Sequence, residues 1–384
     1  MDAFKALDAE GLFGTGKTRE QLLLIIITED TEKSWAKPSA KLLNPPAVFE
    51  RFEADTKVEG IFMASDAIAF SQDERSLYSA GGKNPTSNAD DMISEIVAYD
   101  FADLRLKRRW EFVFPASGDS GRAIACSRDG KTILVMRARY GVKGCQTLLM
   151  RFGRNKNKII QQAQITGEPI GFAVSSDDSR VAVPMNDGPK QSLLHVLDGK
   201  LSALAVLQLP ARARHLKFLG SSDLLAATDA GIFRIDPNFK ITDTPFKDKC
   251  LRLSLDDKES VAVVGLGYDM MGFARNKDSQ TEIGCKLLRL PSFETARELK
   301  FPDLIVQQPV ITPDGRHIAF HAQKIKTYKC FTVVCEAETG REIARQEAGF
   351  TNDLKFLRDN RTLVIARSGS TTTEPVVFWR VPGL

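Results

Sequence analysis

Eight residues near the start of the chain have the spacing of a phosphate-binding loop. Gly11-Leu12-Phe13-Gly14-Thr15-Gly16-Lys17-Thr18 fits the pattern GxxxxGK[ST], in which loop amides cradle phosphates and the lysine reaches the terminal ones. That chemistry needs a buried strand before the loop and a helix after it. Lys5-Ala6-Leu7-Asp8-Ala9-Glu10 does not read as such a strand, and no βαβ unit follows. The segment therefore reads as a Gly- and Thr-rich tail that binds no nucleotide. His317 and His321 stand four apart in a strand-like run, where even spacing points both to one face. No third imidazole lies near them in sequence, so they read as packing residues. The six cysteines, Cys126, Cys145, Cys250, Cys285, Cys330 and Cys335, include no CxxC pair. They read as reduced, mostly buried thiols and not as a zinc site. With four histidines in all and no Gly-x-Ser-x-Gly elbow, the expectation is no enzyme and no cofactor.

The elements that would position any of these residues are set by a repeat. An apolar strand runs into Ser or Thr, then a short acidic turn, then a second apolar strand. The clearest copy is Ile124-Ala125-Cys126-Ser127-Arg128-Asp129-Gly130-Lys131-Thr132-Ile133-Leu134-Val135, and others fall at 67–78, 172–183, 216–226, 251–263, 309–320 and 354–365. Asp-Gly, Asp-Asn and Asp-Asp turns tolerate positive φ and close tight hairpins. The aliphatic and β-branched flanks suit strands buried on both faces. A third strand follows each hairpin, as at Ile96-Val97-Ala98-Tyr99 or Val376-Val377-Phe378-Trp379, and a fourth often follows a polar turn. Turn centres lie 36 to 57 residues apart.

This pattern resembles the WD-repeat family, whose blades run at ~40–45 residues, although the family's Gly-His and Trp-Asp dipeptides are missing here. The resemblance implies an all-β fold: a seven-bladed β-propeller of four-stranded antiparallel blades over residues 47–384, with a non-propeller extension at 1–46. The chain stops at Leu384, just after the third strand of its last blade, so the outer strand must come from elsewhere or an edge stays open. Ala47-Val48-Phe49-Glu50-Arg51-Phe52-Glu53 is assigned that role. Leu22 to Ile27 is left as a strand, a docked short helix or a partner-binding stretch, and burial against the ring is expected.

Composition is that of a globular protein with a real core: 43% hydrophobic and 27% charged. A net charge of +4 is too mild to imply nucleic acid. No apolar run approaches the ~20 residues that span a bilayer, and the acidic start does not read as a leader. The expected location is the cytoplasm. Arg105, Lys107, Arg108 and Arg109 read as a solvated outer strand or turn.

The resemblance further implies that function lies on the face where loops between second and third strands converge around the channel. Two of those loops are basic and free of acids. One, at 137–146, carries Arg137, Arg139, Tyr140 and Lys143. The other, at 322–330, carries Lys324, Lys326, Tyr328 and Lys329. A longer loop at 265–285 adds Tyr268 and Phe273. The Asp-rich turns fall on the opposite face, so the ring is expected to be polarised and to steer an acidic protein partner. The expected function is a non-catalytic interaction scaffold. The competing class is a propeller enzyme or small-molecule binder, lactonase-like or quinone-dependent, with its site at the channel mouth.

Overall fold

The computed structural model describes residues 50–52, 62–84, 93–102, 105–114, 119–141, 144–155, 157–188, 190–266, 284–301, 304–324, 327, 329–349, 351–367, 376–381 and 384. The segments Gly11–Thr18 and Leu22–Ile27 lie outside them. The described elements are all strands, arranged as seven antiparallel sheets, each with four strand positions. In six sheets the strands follow sequence order. In the third blade the first strand is broken into Glu168–Pro169 and Ala173–Val174, both pairing with Arg180–Asp187. The seventh blade takes its three later strands from Thr351–Phe356, Thr362–Arg367 and Val376–Arg380. Its fourth comes from Glu50–Phe52, with Glu50 opposite Arg380 and Phe52 opposite Phe378. This pairing gives the outer edge of Val376–Arg380 a partner for its amides and carbonyls.

The core is divided into seven apolar clusters, one between each pair of neighbouring blades. Period-two alternation explains this directly. Ala67 and Ala69 of blade 1 pack toward blade 2, whereas Ile68, between them, packs toward blade 7 against Val364 and Phe378. Leu77, Phe378 and Trp379 have no exposed surface, and each such burial stabilises the ring by ~1.5–3 kcal/mol. A blade's two faces are thus both interior, which is why its strands read as near-continuous apolar runs.

The hairpin turns add a circle of polar contacts. In six blades the fourth turn residue adopts positive φ: Glu74, Gly130, Asp178, Glu259, Gly315 and Asn360. Its N–H donates to the carbonyl three residues earlier, as Gly130 does to Ser127 at 2.9 Å. Where that residue has a side chain, it reaches the neighbouring turn. Asp178 accepts the Arg128 N–H at 2.7 Å, Glu259 that of Gly220 at 2.7 Å, Asn360 that of Asp314 at 3.0 Å, and Glu74 that of Arg358 at 2.8 Å. Ser176 and Asp257 donate to the carbonyls of Gly220 and Pro313. Between blades 1 and 2, where Gly130 has nothing to extend, the Arg154 guanidinium donates to Ser76 Oγ at 3.1 Å instead. Every joint of the ring is therefore bridged at its turn end.

Candidate functional site

The first strands of the blades surround a central channel of about 920 Å³. Six basic and four acidic side chains line it among the described residues. Three of the four acids are occupied by backbone: Asp178 and Glu259 by the turn contacts above, and Asp353 by the N–H groups of Ile68 at 3.3 Å and Leu354 at 3.1 Å. The basic groups are less constrained. Register explains how they meet. Counting back from the hairpin turns, Lys217 in Ala213–Leu219 of blade 4 and Lys355 in Thr351–Phe356 of blade 7 occupy equivalent positions. The corresponding residues of other blades are Ala69, Ala125, Ala173, Ser254 and Val310. Two lysines therefore project where the repeat otherwise carries small or short side chains. Two residues earlier sit His215 in blade 4, Arg252 in blade 5 and Asp353 in blade 7.

The electrostatics follow from this crowding. Lys217 is open to channel water yet walled in by the inner strands. Loss of bulk hydration, then repulsion from Lys355 and Arg252, hold its ammonium below the usual lysine range. Lys355 is lowered too, first by the same loss of hydration, with Asp353 opposing and Arg252 adding to it. His215 is pushed well below the ordinary imidazole range by burial and then by Arg252, Lys217 and Lys355, so it is neutral at pH 7. Arg252 donates to Asp353 at 2.9 Å. The net result is a positive collar, offset in part by Asp353 and, from the turn, by Glu259.

Such a channel inside seven radial sheets decides the architecture. The fold is a seven-bladed β-propeller. Among solved structures the chain is similar to the Cps50 (Swd1) β-propeller domain of Myceliophteria thermophila, with a TM-score of 0.63 and 13% identity, covering 86% of this chain and 99% of that one. No family model matches the sequence, and no curated protein matches it.

The residues singled out from sequence fall in different places. Arg137 is not on a loop. Thr132–Gly141 and Gly144–Gly153 continue their ladder almost to the hairpin tip, with Arg137 opposite Gly121 and Leu148. It is 3% exposed, and its guanidinium lies 3.6 Å from the centroid of the Phe114 ring. A cation held over an aromatic face and covered by neighbouring strands cannot meet a partner, which corrects the expectation for this residue. The loop at 322–330 is likewise shorter than read, because the strands His317–Lys324 and Cys330–Glu336 extend into it.

Arg139 and Lys324 are exposed at the strand ends of blades 2 and 6, and Lys329 is half-buried and 3.2 Å from Glu347. Tyr140 ends a strand, and nothing of its side chain is described. Lys143, Tyr268, Phe273, Lys326 and Tyr328 lie outside the described residues. The acidic turns are also less free than their composition suggests. Asp73, Asp129, Asp177 and Asp314 each accept from the Ser or Thr two residues earlier and from the N–H two residues later.

His317 and His321 do share a strand, His317–Lys324. His321 is 1% exposed, and burial holds its imidazole at about 4. Arg105–Val113 is an outer strand in which Lys107 and Arg108 are exposed. The six cysteines are not in disulfides, and burial raises the thiols of Cys126 and Cys335 to about 12 and that of Cys330 to about 11, so none of these three is a ready nucleophile. Among the described residues no group of His, Cys, Asp and Glu is placed to hold a metal, and no helix is long and apolar enough to cross a membrane.

Sequence reading missed Lys217, Arg252 and Lys355. The signal was present: stacking the seven repeats on their turns puts both lysines in a column of Ala, Ser and Val. Charge is expected on loops and not on inner strands, so the two lysines do not stand out until the repeats are stacked.

Proposed function

We propose that this protein is a non-catalytic interaction scaffold that receives an acidic segment of a protein partner on the face bearing the loops between second and third strands. The observation that carries the reading is the placement of Arg139 and Lys324. Both are exposed; Arg139 lies two residues from the end of the second strand of blade 2 and Lys324 ends that of blade 6, so the antiparallel topology directs them to the same end of the ring. Blades 2 and 6 stand on different sides of the channel, which lets one extended acidic segment engage both. Lys143, Lys326, Tyr140, Tyr328, Tyr268 and Phe273 belong to the same face in this reading, since arginine and tyrosine tend to dominate interface energetics. Arg137 contributes by holding the Thr132–Gly141 strand against Phe114 and not by touching the partner.

In the same reading residues 1–46 are an N-terminal extension that belongs to no blade and 47–53 close the ring, the latter supported by the pairing of Glu50–Phe52 with Val376–Arg380. The test is charge reversal. Arg139→Glu with Lys324→Glu is expected to lower the association rate of the natural partner by about tenfold or more at low salt and to flatten its salt dependence. Stability should change by only about 0.5 kcal/mol, as for other exposed substitutions. Unchanged association in the double variant contradicts the reading.

A further inference from the structure

The channel itself carries a separate assignment. We infer that the propeller channel is a binding site for a small, multiply charged phosphate anion, a pyrophosphate or a longer polyphosphate, gripped by Lys217 from blade 4 and Lys355 from blade 7 with Arg252 of blade 5 beside them. The three cations line one cavity of about 920 Å³, within the ~300–1,000 Å³ range of ligand-holding clefts. They approach from three blades. A ligand that meets all of them must therefore carry charge in several directions, which a single carboxylate does not and a polyphosphate does.

Arg252 keeps one guanidinium nitrogen on Asp353. That contact fixes its orientation, and the planar group retains further donors for phosphate oxygens. Asp353 in turn accepts from the amides of Ile68 and Leu354 as well as from Arg252, so its single charge is shared and only partly offsets the two lysines. The ammonium of each lysine is suppressed by its surroundings, the condition that a bound anion would relieve. The small residues at the equivalent positions of three other blades, Ala125, Ala173 and Ser254, also line the cavity and leave its circumference open for the ligand's bulk. Neither lysine belongs to the loop face, so this inference stands or falls apart from the scaffold reading.

The experiment is titration of the full chain with inorganic pyrophosphate and tripolyphosphate by calorimetry, beside the Lys217→Met/Lys355→Met variant and the Arg139→Glu/Lys324→Glu variant. Saturable binding by the native chain is expected. The channel variant should lose about tenfold or more in affinity, the scale of losing charge-assisted hydrogen bonds, and the surface variant should match the native chain. Protection of Lys217 and Lys355 from reductive methylation by pyrophosphate, read by peptide mass spectrometry on the native chain, tests the same claim without any substitution. Absence of saturable binding overturns the inference. So does equal binding by the channel variant, unprotected lysines, or displacement by an oligoglutamate peptide with no response to either phosphate.

Discussion

Arg252 and Asp353 join the inner strands of blades 5 and 7 through a 2.9 Å ion pair, with the inner strand of blade 6 lying between them in the ring order. The same carboxylate accepts the Ile68 N–H of blade 1. One side chain thus ties three blades at the channel wall.

Removing that carboxylate leaves a guanidinium without its partner next to Lys217 and Lys355. Breaking a fully buried pair costs about 3–5 kcal/mol. Arg252 is partly open to the channel, with 29% of its side chain exposed, so the cost of Asp353→Ala is expected at about 2–3 kcal/mol. Urea unfolding monitored by tryptophan fluorescence checks this. A loss below about 0.5 kcal/mol, the level of ordinary surface substitutions, contradicts the role assigned to Asp353.

Glu74 bridges blades 7 and 1 at the turn end, and it does so from positive φ. Burial raises its carboxyl above the usual range, with the Arg358 N–H acting in the opposite sense. A carboxylate raised in the folded state binds more protons there than in the unfolded chain. Its contribution is then most favourable below the unfolded value and is lost as pH rises through the folded one. Glu74→Gln keeps the acceptor and removes this term, so the variant is expected to match or slightly exceed native stability at pH 7. Glu74→Ala loses the acceptor while keeping an unfavourable φ, and should cost about 1–2 kcal/mol. Equal melting temperatures for the two variants contradict the bridge.

His321 supplies a pH test. Its folded value of about 4 lies below the ordinary 6.5 because burial disfavours the charged ring. The unfolded chain binds the proton first, so the stability associated with neutral His321 is complete above about 6.5 and is lost as pH falls toward 4. The difference amounts to roughly 3 kcal/mol at its fullest. Denaturant midpoints measured from pH 7 to pH 4 should fall steeply in the native chain and less steeply in His321→Leu. Parallel curves for the two proteins place the acid sensitivity elsewhere.

The ring was legible in the sequence because its physics is local and repeated. Ser127-Arg128-Asp129-Gly130 states its hairpin by itself, and the alternation of Ala67, Ile68 and Ala69 already tells which residues face which neighbour. The channel collar was not legible in the same way. Lys217 and Lys355 are 138 positions apart in the numbering and meet only because two equivalent strand positions line one cavity. Arg137 was misread for the reverse reason: a basic residue in a polar stretch looks like loop until the ladder with Gly121 and the ring of Phe114 claim it. Charge in sequence indicates solvent on average, and these cases depart from it where the ring geometry encloses the charge.

The scaffold reading names one end of the ring, and lysine-directed cross-linking of the captured partner complex distinguishes the ends directly. Lys324 ends a second strand, whereas the exposed Lys131 and Lys258 sit in the hairpin turns of blades 2 and 5 at the other end. The account predicts partner cross-links at Lys324, together with Lys143 and Lys326, and none at Lys131 or Lys258. Cross-links concentrated at Lys131 and Lys258 contradict it.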